Sequence, residues 1–308
     1  MFVNSKILIT GITGFVGENL NKYLKKEYNI QGISRKEKDS IISYENLNKE
    51  HYNKAKAFIH LAGKAHDLKK TSQEKEYFKV NTELTKKLYD DFLESTCEVF
   101  IYMSSVKAVA DEIEGVLTEG YKSNPITAYG KSKLAAEEYI LTKKIPDNKR
   151  VYILRPCIIH GPNNKGNLNL LYNFVSKGIP YPFGVYENKR SFLSVENLCF
   201  VIKGLIEKSI KSGIYNVADD IPLSTKDLVK TIGQAIGKNV KIWNISKGFI
   251  NVIAKVGDIL PLPINSERVQ KLTENYVVSN KKIKEELQKE LPLNVKEGII
   301  QTIRNFNN

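Results

Sequence analysis

A short apolar run followed at once by three glycines constrains the fold of this chain most strongly. Residues 6–10 read KILIT, and the next seven read GITGFVG, so Gly11, Gly14 and Gly17 form a GxxGxxG pattern. Glycines at this spacing permit a tight turn, the approach of backbone N–H groups to a pyrophosphate, and close packing of a helix on a strand. The pattern predicts a strand, a dinucleotide-binding loop and a helix. The alternative is a glycine-rich turn that binds nothing.

Short β-branched runs alternate with helical patterns through the first half of the chain. The predicted strands cover 6–10, 29–34, 56–63, 98–105 and 150–156, and the predicted helices cover 15–28, 72–95 and 127–144. Such alternation is typical of a parallel sheet with helices on both faces. Because crossover connections are right-handed, the sequence predicts an α/β fold with a doubly wound, Rossmann-like parallel sheet.

The regular alternation of strand and helix patterns ends at about residue 160, where loop-rich segments precede a few regular elements. A strand is predicted at 213–219, a helix at 223–237 and a short strand at 241–243. We expect a smaller C-terminal α/β portion that binds substrate at the open end of the sheet. The expected division assigns cofactor binding to residues 1–160 and about 190–218, and substrate binding to about 161–189 and 219–308.

The bulk composition indicates an ordinary globular protein and argues against several classes of function. The net charge is +13, but lysines alternate with glutamates and no aromatics interleave in a basic block, so no nucleic-acid partner is predicted. Cys97, Cys157 and Cys199 lack paired spacing, and the four histidines lack metal-ligand spacing, so we predict neither a disulfide framework nor a metal. With no signal-like start and no long apolar run, the expected location is cytoplasmic.

Residues 127–133, TAYGKSK, place Tyr129 and Lys133 four apart, which is one face of a helix. A nearby ammonium is expected to lower the pKa of the tyrosine, so that Tyr129 acts as a general base toward a hydroxyl or a general acid toward a ketone. Ser105 closes a strand at the sheet edge where α/β proteins bind ligands, and its hydroxyl is expected to reach the same reacting oxygen. The plainer interpretation is a solvated helix face and a strand-end cap.

The second predicted strand ends at GISRKEK, residues 32–38. An acidic residue is usual there, because a carboxylate bonds the adenosine ribose and repels a 2′-phosphate. Ser34 removes that repulsion, and Arg35 offers a charge-assisted bond to a phosphate. The replacement of the usual acid by Ser34 and Arg35 predicts NADP(H) as the preferred cofactor. NAD(H) stays open as the alternative. The alternative is an exposed arginine that contacts nothing.

The motifs GITGFVG, HLAG, VN, SS, YGKSK, RP…G and RSFLSVENL occur in one order along nearly the whole chain. Together they resemble the extended short-chain dehydrogenase/reductase family, and within it the UDP-glucose 4-epimerase-like group of nucleotide-sugar enzymes. The resemblance implies a catalytic set of Ser105, Tyr129 and Lys133. It also implies cofactor contacts from Gly11, Gly14, Phe15, Val16, Gly17, Leu61, Ala62, Gly63, Lys64 and Asn81. The predicted cofactor set is completed by Thr13, Ser34, Arg35, Ser104, Tyr129 and Lys133.

The same resemblance implies a substrate set and an activity. Arg190 and Asn167 would meet the diphosphate of a nucleotide sugar, Arg268 is a weaker match, and Lys107 lies where it would alter the sugar pocket. The implied reaction is NAD(P)-dependent 4-epimerisation of a UDP-hexose or UDP-N-acetylhexosamine through a 4-keto intermediate. Two alternatives stay open: an NADPH-dependent 4-ketosugar reductase that makes a deoxysugar nucleotide, and a non-catalytic NADP(H)-binding sensor. His160 stands where the family often has tyrosine, which leaves the sugar undetermined.

Two further expectations concern surfaces. The helices at 72–95 and 127–144 form the usual dimer contact of the resembled family, so a homodimer is expected. Residues 249–262, FINVIAKVGDILPL, are apolar enough for a helix on the substrate lid. The common interpretation of that helix is packing within the C-terminal portion; the sharper hypothesis is a peripheral contact with a membrane surface.

Overall fold

The computed structural model describes residues 5–38, 40–64, 73–164, 167–260 and 265–306. Its strands are β1 (Lys6–Thr10), β2 (Asn29–Ser34), β3 (Ile41–Ser43), β4 (Ala55–His60), β5 (Val99–Met103), β6 (Val116–Leu117), β7 (Arg150–Pro156), β8 (Ile158–His160), β9 (Phe192–Ser194), β10 (Gly213–Val217) and β11 (Val277–Val278). Its α-helices are α1 (Phe15–Leu24), α2 (Lys49–Asn53), α3 (Glu74–Phe78), α4 (Leu84–Leu93), α5 (Ala128–Thr142), α6 (Asn167–Ser176), α7 (Val195–Glu207), α8 (Thr225–Ala235), α9 (Lys247–Ile259), α10 (Ser266–Thr273), α11 (Lys281–Leu287) and α12 (Val295–Arg304).

Seven strands form one parallel sheet in the order β3-β2-β1-β4-β5-β7-β10. The chain winds outward from β1 to one edge, returns, and winds to the other edge. This is the doubly wound order, so the predicted fold class is confirmed. The order reverses at β1 and β4, and ligands of such sheets bind beyond the carboxyl ends of the strands there.

Successive residues of β1 alternate between the two faces of the sheet, and both faces are covered. Ile7 and Ile9 pack in one apolar cluster with Leu20 of α1. Leu8 belongs to the cluster on the opposite face, with Phe100 of β5. Because neither face meets water, the strand is an unbroken apolar run rather than an alternating one.

Several predicted elements are shorter in the structure, and three differ most. The helix expected at 15–28 ends at Leu24, before β2. The helix expected over 72–95 is wrong as a continuous α-helix, because a π-helical turn at Lys79–Glu83 separates α3 from α4. The strand expected at 241–243 is also wrong: this segment makes only isolated bridges, including one from Ile242 to Tyr181. The π-turn carries Asn81, whose side chain and carbonyl bind groups from other elements, as π-turns at functional sites often allow.

The C-terminal portion has its own apolar cluster, which includes residues of α6, α8, α9 and α12. Short strand pairs, β8 with β9 and β6 with β11, join it to the main sheet region. Tyr276, Val278 and Ile283 nevertheless pack into the cluster that covers the main sheet, so the chain returns to the cofactor side near its end. Within the described ranges, no helix is long and apolar enough to cross a bilayer.

Candidate active site

The glycine loop leaves β1 at the carboxyl edge of the sheet and starts α1. Gly11 has φ +68°, and a Cβ there would come within 2.8 Å of the Ala62 nitrogen. A Cβ on Gly17 would collide with the Gly11 carbonyl oxygen. Gly14 caps α1 with no side chain over the helix terminus. The loop therefore needs glycine, and the positive end of the α1 dipole faces a site that suits a pyrophosphate.

Ser105, Tyr129 and Lys133 come together beyond the end of β5. Ser105 follows that strand and accepts from the Lys107 amide at 3.2 Å, while Tyr129 lies in hydrogen-bonding contact with Ser105. Thr127 caps α5 by accepting from the Gly130 amide, so Tyr129 lies in the first turn of that helix. One turn later, the Lys133 ammonium donates to the Met103 carbonyl at 2.7 Å. The predicted juxtaposition of these side chains is thus present.

The pKa of Tyr129 differs from the sequence-based expectation. Burial raises it above its ordinary value, and the hydrogen bond with Ser105 offsets this only in part. The expected lowering is wrong because Lys133 directs its ammonium to a β5 carbonyl. Burial also lowers the pKa of Lys133 to about 8, against the opposing attraction of Glu137. In this state Tyr129 holds its proton, which suits a general acid.

Asn81, in the π-turn, connects the end of β4 with α5. Its amide oxygen accepts from the Lys64 nitrogen at 2.7 Å, and its Nδ2 donates to the Lys64 carbonyl and to Ser132 Oγ at 3.1 and 3.0 Å. Ser132 in turn donates to the Tyr129 carbonyl at 2.8 Å. A Cβ on Gly63 would lie 3.0 Å from Lys133 Nζ, so the β4 turn passes directly over the catalytic candidates.

A buried ion pair behind Lys133 was missed by sequence reasoning. Arg155 of β7 donates from Nε to both oxygens of Glu137 at 3.0 Å, and Ser104 donates to the same carboxylate. Ser104 thus faces the protein interior in this structure. The available signal was spacing: Glu137 lies four residues after Lys133, on the same face of α5. The buried pair ties α5 to β7, and the Glu137 carboxylate favours the charged form of Lys133.

His60 belongs to a second buried network beneath the glycine loop. Burial lowers the pKa of His60 to about 3, so the ring is neutral. Thr85 donates to the Asn81 carbonyl at 2.7 Å, so its oxygen receives the His60 Nε2 proton at 2.9 Å. His60 Nδ1 then accepts from Thr10 at 2.7 Å, and Thr10 accepts from the Ala62 amide at 3.1 Å. The network ties β1, β4 and the π-turn together.

Ser34 and Arg35 lie at the end of β2, as predicted. The Ser34 hydroxyl donates to the Lys36 carbonyl at 2.6 Å and accepts from the Lys36 amide at 3.3 Å. Arg35 is exposed and near enough to Tyr44 for its charge to act on that phenol, although burial dominates and raises the pKa of Tyr44 to about 12. Tyr44 also bonds Thr10, so Arg35 adjoins the glycine loop region.

A cavity of about 200 Å³ adjoins Ser105. Ser105, Lys107, Arg190 and Tyr276 contribute to its wall. Arg190 donates to the Lys271 carbonyl and lies 3.2 Å from Glu274, whereas its buried Nε has no partner among the described residues. The cavity is therefore lined by a guanidinium, and a cation at this place suits an anionic ligand.

Lys107 belongs to a short 3₁₀ turn after Ser105 and lines the same cavity. Its ammonium donates to the Asp111 carbonyl at 2.7 Å and lies 4.4 Å from the centre of the Tyr276 ring. Burial lowers its pKa, while the carboxylates of Glu274 and Asp111 act in the opposite direction. The structure thus places the predicted Lys107 and Arg190 together near Ser105.

Arg268 and Asn167 are the other two residues predicted to contact the substrate. Arg268 is exposed in the first turn of α10, three residues before the Lys271 carbonyl that Arg190 binds. Asn167 begins α6, but its side chain lies outside the described residues. His160 is buried in the C-terminal junction, where it bonds Thr302 at 2.9 Å, so it does not line the cavity. In the described part of the chain, no cluster of three His, Cys, Asp or Glu side chains fits a metal ion.

Comparison with known proteins shows the family of this fold and site. Residues 7–218 match the model of the NAD dependent epimerase/dehydratase family. This protein belongs to that family. It is therefore an enzyme, which removes the alternative of a non-catalytic sensor.

Relatives of this epimerase/dehydratase family member fall among nucleotide-sugar and lipid-linked-sugar enzymes. It is 32% identical to the UDP-glucose 4-epimerase of Vibrio cholerae, over 97% of this chain and 95% of that one. It is 26% identical, over 77% and 74% of the two chains, to the N-acetyl-alpha-D-glucosaminyl-diphospho-ditrans,octacis-undecaprenol 4-epimerase of Escherichia coli O157:H7.

Solved structures have the same fold. The UDP-N-acetylglucosamine 4-epimerase of Bacillus cereus aligns with a TM-score of 0.75 at 21% identity, covering 98% of this chain and 99% of that one. MoeE5, solved with UDP-glucuronic acid and NAD, aligns with a TM-score of 0.75 at 20% identity and the same coverage.

Proposed function

We propose that this protein is a nucleotide-sugar 4-epimerase that acts through Ser105, Tyr129 and Lys133. The observation that carries the proposal is the convergence of these side chains beyond β5, beside the glycine loop and the cavity with Arg190. The names of the Vibrio cholerae and Bacillus cereus relatives, both UDP-sugar 4-epimerases, support the same substrate class.

The residues present fit a nicotinamide dinucleotide. The tight backbone packing that requires glycine at positions 11 and 17, and the side-chain-free start of α1, suit a loop that binds pyrophosphate. Gly63 and Asn81 would border the nicotinamide half, beside Lys133. When bound, the cofactor supplies the acceptor and donor of hydride and, in its oxidised form, a positive charge that favours ionisation of Tyr129.

The protein's own part in the reaction is proton transfer and orientation at the sugar oxygen. Tyr129 takes the proton from the C4 hydroxyl as the carbonyl forms and returns it as the hydroxyl is restored. Ser105 holds the same oxygen by a hydrogen bond. Lys133 donates to the Met103 carbonyl in the structure, and its ammonium would have to turn toward Tyr129 during the reaction to favour the charged form of the tyrosine. Epimerisation then requires the 4-keto sugar to turn over within the cavity before it is reduced on its other face.

Arg190 and Lys107 are proposed to bind the anionic part of the substrate. The Arg190 guanidinium lines the cavity and would donate to a diphosphate oxygen, and such charge-assisted bonds are stronger than neutral ones. Lys107 adds a second positive charge at the sugar end, next to Ser105. The roles of Asn167 and Arg268 as further substrate contacts remain predictions.

A second candidate function is an NADPH-dependent 4-ketosugar reductase, which would use the same acid–base residues. Ser34 and Arg35 favour it, because they leave the end of β2 without a carboxylate and with an exposed guanidinium. We infer a site that accepts the 2′-phosphate of NADP(H), with NAD(H) as the alternative, since solved structures of the same fold contain NAD.

We also propose the division of labour and assembly expected from the sequence. Residues 1–160 with about 190–218 would bind the cofactor, and about 161–189 with 219–308 the nucleotide sugar. A homodimer would pair α4 and α5 of two chains, a surface on which Leu141 is 55% exposed. Sedimentation velocity of the Leu141→Asp variant tests the dimer, since a charge there would shift the protein toward the monomer.

Identification of the retained cofactor separates the two functions. Mass spectrometry of the purified protein, followed by mixing with UDP-sugars while cofactor absorbance is recorded, would distinguish them. Tightly retained NAD and conversion of substrate without net change in absorbance support the epimerase. Exchangeable NADPH that is consumed only with a 4-ketosugar supports the reductase. Neither conversion, in a folded protein that binds cofactor, contradicts both.

A further inference from the structure

Helix α9 has an exposed apolar face in addition to the face that it packs against the protein. Ile250, Ala254 and Gly257 are buried on its inner side. Four large apolar side chains are exposed along its outer side, Phe249 (59%), Val252 (61%), Val256 (43%) and Ile259 (86%), and the exposed Leu260 (52%) follows as the C-cap. The spacing of three, four and three residues keeps the four helical side chains in one row. We call these five residues the α9 stripe.

The sequence segment that carries the α9 stripe is predominantly positive. Residues 241–260 contain Lys241, Lys247 and Lys255 but a single acid, Asp258. Both carboxylate oxygens of Asp258 accept hydrogen bonds from Ser266, at 2.9 Å from its amide and 2.6 Å from its hydroxyl. The side chain of this acid is therefore held against the start of α10. Lys241 and Lys255 are exposed, and Lys247 lies over the Tyr186 ring at 5.3 Å. An apolar row in so basic a segment is complementary to an anionic lipid surface.

The dimensions of the stripe argue against a second copy of the chain as its main partner. A helix of 13 residues is about 20 Å long. A single apolar row about 10 Å wide on it offers roughly 200 Å², far below the roughly 800 Å² per partner of a stable protein interface. Shallow insertion into a bilayer needs no such area, because each apolar side chain that leaves water contributes by itself.

We propose that the α9 stripe docks this enzyme on the surface of an anionic lipid bilayer. The five apolar side chains enter the boundary between headgroups and acyl chains, while the flanking lysines stay at the level of the phosphates. Trp243 is 54% exposed and precedes the Ser246 cap of α9 by three residues, and the proposal includes its insertion at the same depth. Tryptophan is well suited to that depth, since its ring is apolar and its N–H is polar.

The docking surface is close to the candidate substrate cavity through α10. This helix packs against α9, and Ser266 at its start bonds Asp258 of α9. At its other end, the Lys271 carbonyl receives Arg190. Docking would therefore hold the substrate side of the enzyme near the membrane surface. The inference goes beyond the proposed function, because binding to lipid does not depend on which reaction the site performs.

Trp243 provides a direct test, because it is the single tryptophan of the chain. The full-length protein is mixed with vesicles of phosphatidylcholine alone or with phosphatidylglycerol, and both co-sedimentation and tryptophan emission are measured. We expect binding to the anionic vesicles, a blue shift of the emission, and weaker binding in high salt. The Val252→Asp/Ile259→Asp variant is expected to reduce partitioning by about tenfold or more. Turnover of a soluble nucleotide sugar by this variant should be unchanged.

The matched control is Ile221→Asp, which introduces a charge at a 62% exposed isoleucine between β10 and α8 and should bind vesicles like the unmodified protein. If the double variant fails to fold, Lys241→Glu/Lys255→Glu leaves the stripe intact and should still lose binding to anionic vesicles. Three results overturn the proposal: no binding to anionic vesicles, binding without a change in Trp243 emission, or a concentration-dependent dimer that the double variant abolishes.

Discussion

The cofactor side and the substrate side of the candidate site are constructed differently. On the cofactor side, β1, the glycine loop and α1 follow one another without interruption from Lys6 to Leu24. On the substrate side, Arg190 depends on Lys271 and Glu274, some eighty residues away, and Lys107 lies against Tyr276. The function of a contiguous segment can be recognised from a sequence motif. The function of a site assembled from distant residues can be recognised only once the tertiary fold is known. The two sides should therefore respond separately to mutation.

The largest expected effect is on chemistry at the junction of the two sides. The Tyr129→Phe variant should lose about 10²–10⁴-fold in turnover, because the proton donor and acceptor is gone. Its affinities for cofactor and UDP-sugar, measured by calorimetry, should change little. Tyr139→Phe is the matched control on the same helix, where the phenol bonds Asp90 at 2.6 Å, and it should keep normal turnover. Equal turnover in the Tyr129→Phe variant would remove Tyr129 from the mechanism.

Removal of Arg190 should affect the substrate side alone. Loss of a charge-assisted bond is worth about 1.5–3 kcal/mol, so Arg190→Ala should weaken UDP-sugar binding by roughly 10–150-fold. The dissociation constant of the cofactor should stay within about twofold, and Arg190→Lys should recover only part of the loss because it lacks the planar fork. A parallel loss of cofactor affinity would mean that the two sides are not separable.

Arg35→Asp examines the cofactor side in the same way. We expect the preference for NADP over NAD to fall about 10–100-fold, since a phosphate partner is replaced by a like charge. Lys36→Asp changes the net charge equally at the neighbouring residue and should leave the ratio nearly unchanged. The ratio of NADP to NAD affinity is measured by fluorescence titration for each variant. An unaltered ratio in the Arg35→Asp variant would indicate that the arginine does not contact the 2′-phosphate of the ribose.

The smallest expected effect is a pH dependence set by Lys133. Its pKa in the free enzyme is about 8, lowered by burial, so the ammonium is present below that pH and lost above it. The kcat/KM should therefore fall as pH rises through 8, by about tenfold at pH 9, because this parameter reports groups of the free enzyme. Lys133→Arg should flatten this limb, since guanidinium keeps its charge. A decline that persists in that variant belongs to another group.

The fold and the cofactor loop were predictable from the sequence because their determinants are local. Apolar runs, glycine spacing and the TAYGKSK motif each lie within a few residues, and the structure has the corresponding elements. The π-turn was not predictable in this way, because Asn81 is satisfied by Lys64 and Ser132 from other elements. The raised pKa of Tyr129 depends on burial by the whole site.

The substrate side was predictable only as residues, not as an arrangement. The RSFLSVENL segment identified Arg190, but nothing nearby in sequence indicates that Glu274 and the Lys271 carbonyl hold its guanidinium. Glu137 and Arg155 likewise pair across 18 residues and two elements. Short strands of two or three residues, such as β6 and β11, carry too little pattern to be recognised before their partners are known.

The central claim is that this site epimerises a nucleotide sugar at C4. The most direct test is proton NMR of the full-length enzyme with UDP-glucose and UDP-N-acetylglucosamine in deuterated water. The account predicts that one of these sugars converts to its C4 epimer while the C4 hydrogen stays protium, since the hydrogen removed is the one returned. Tyr129→Phe should abolish the conversion. Binding of these sugars without conversion, or conversion with deuterium at C4, would contradict the account.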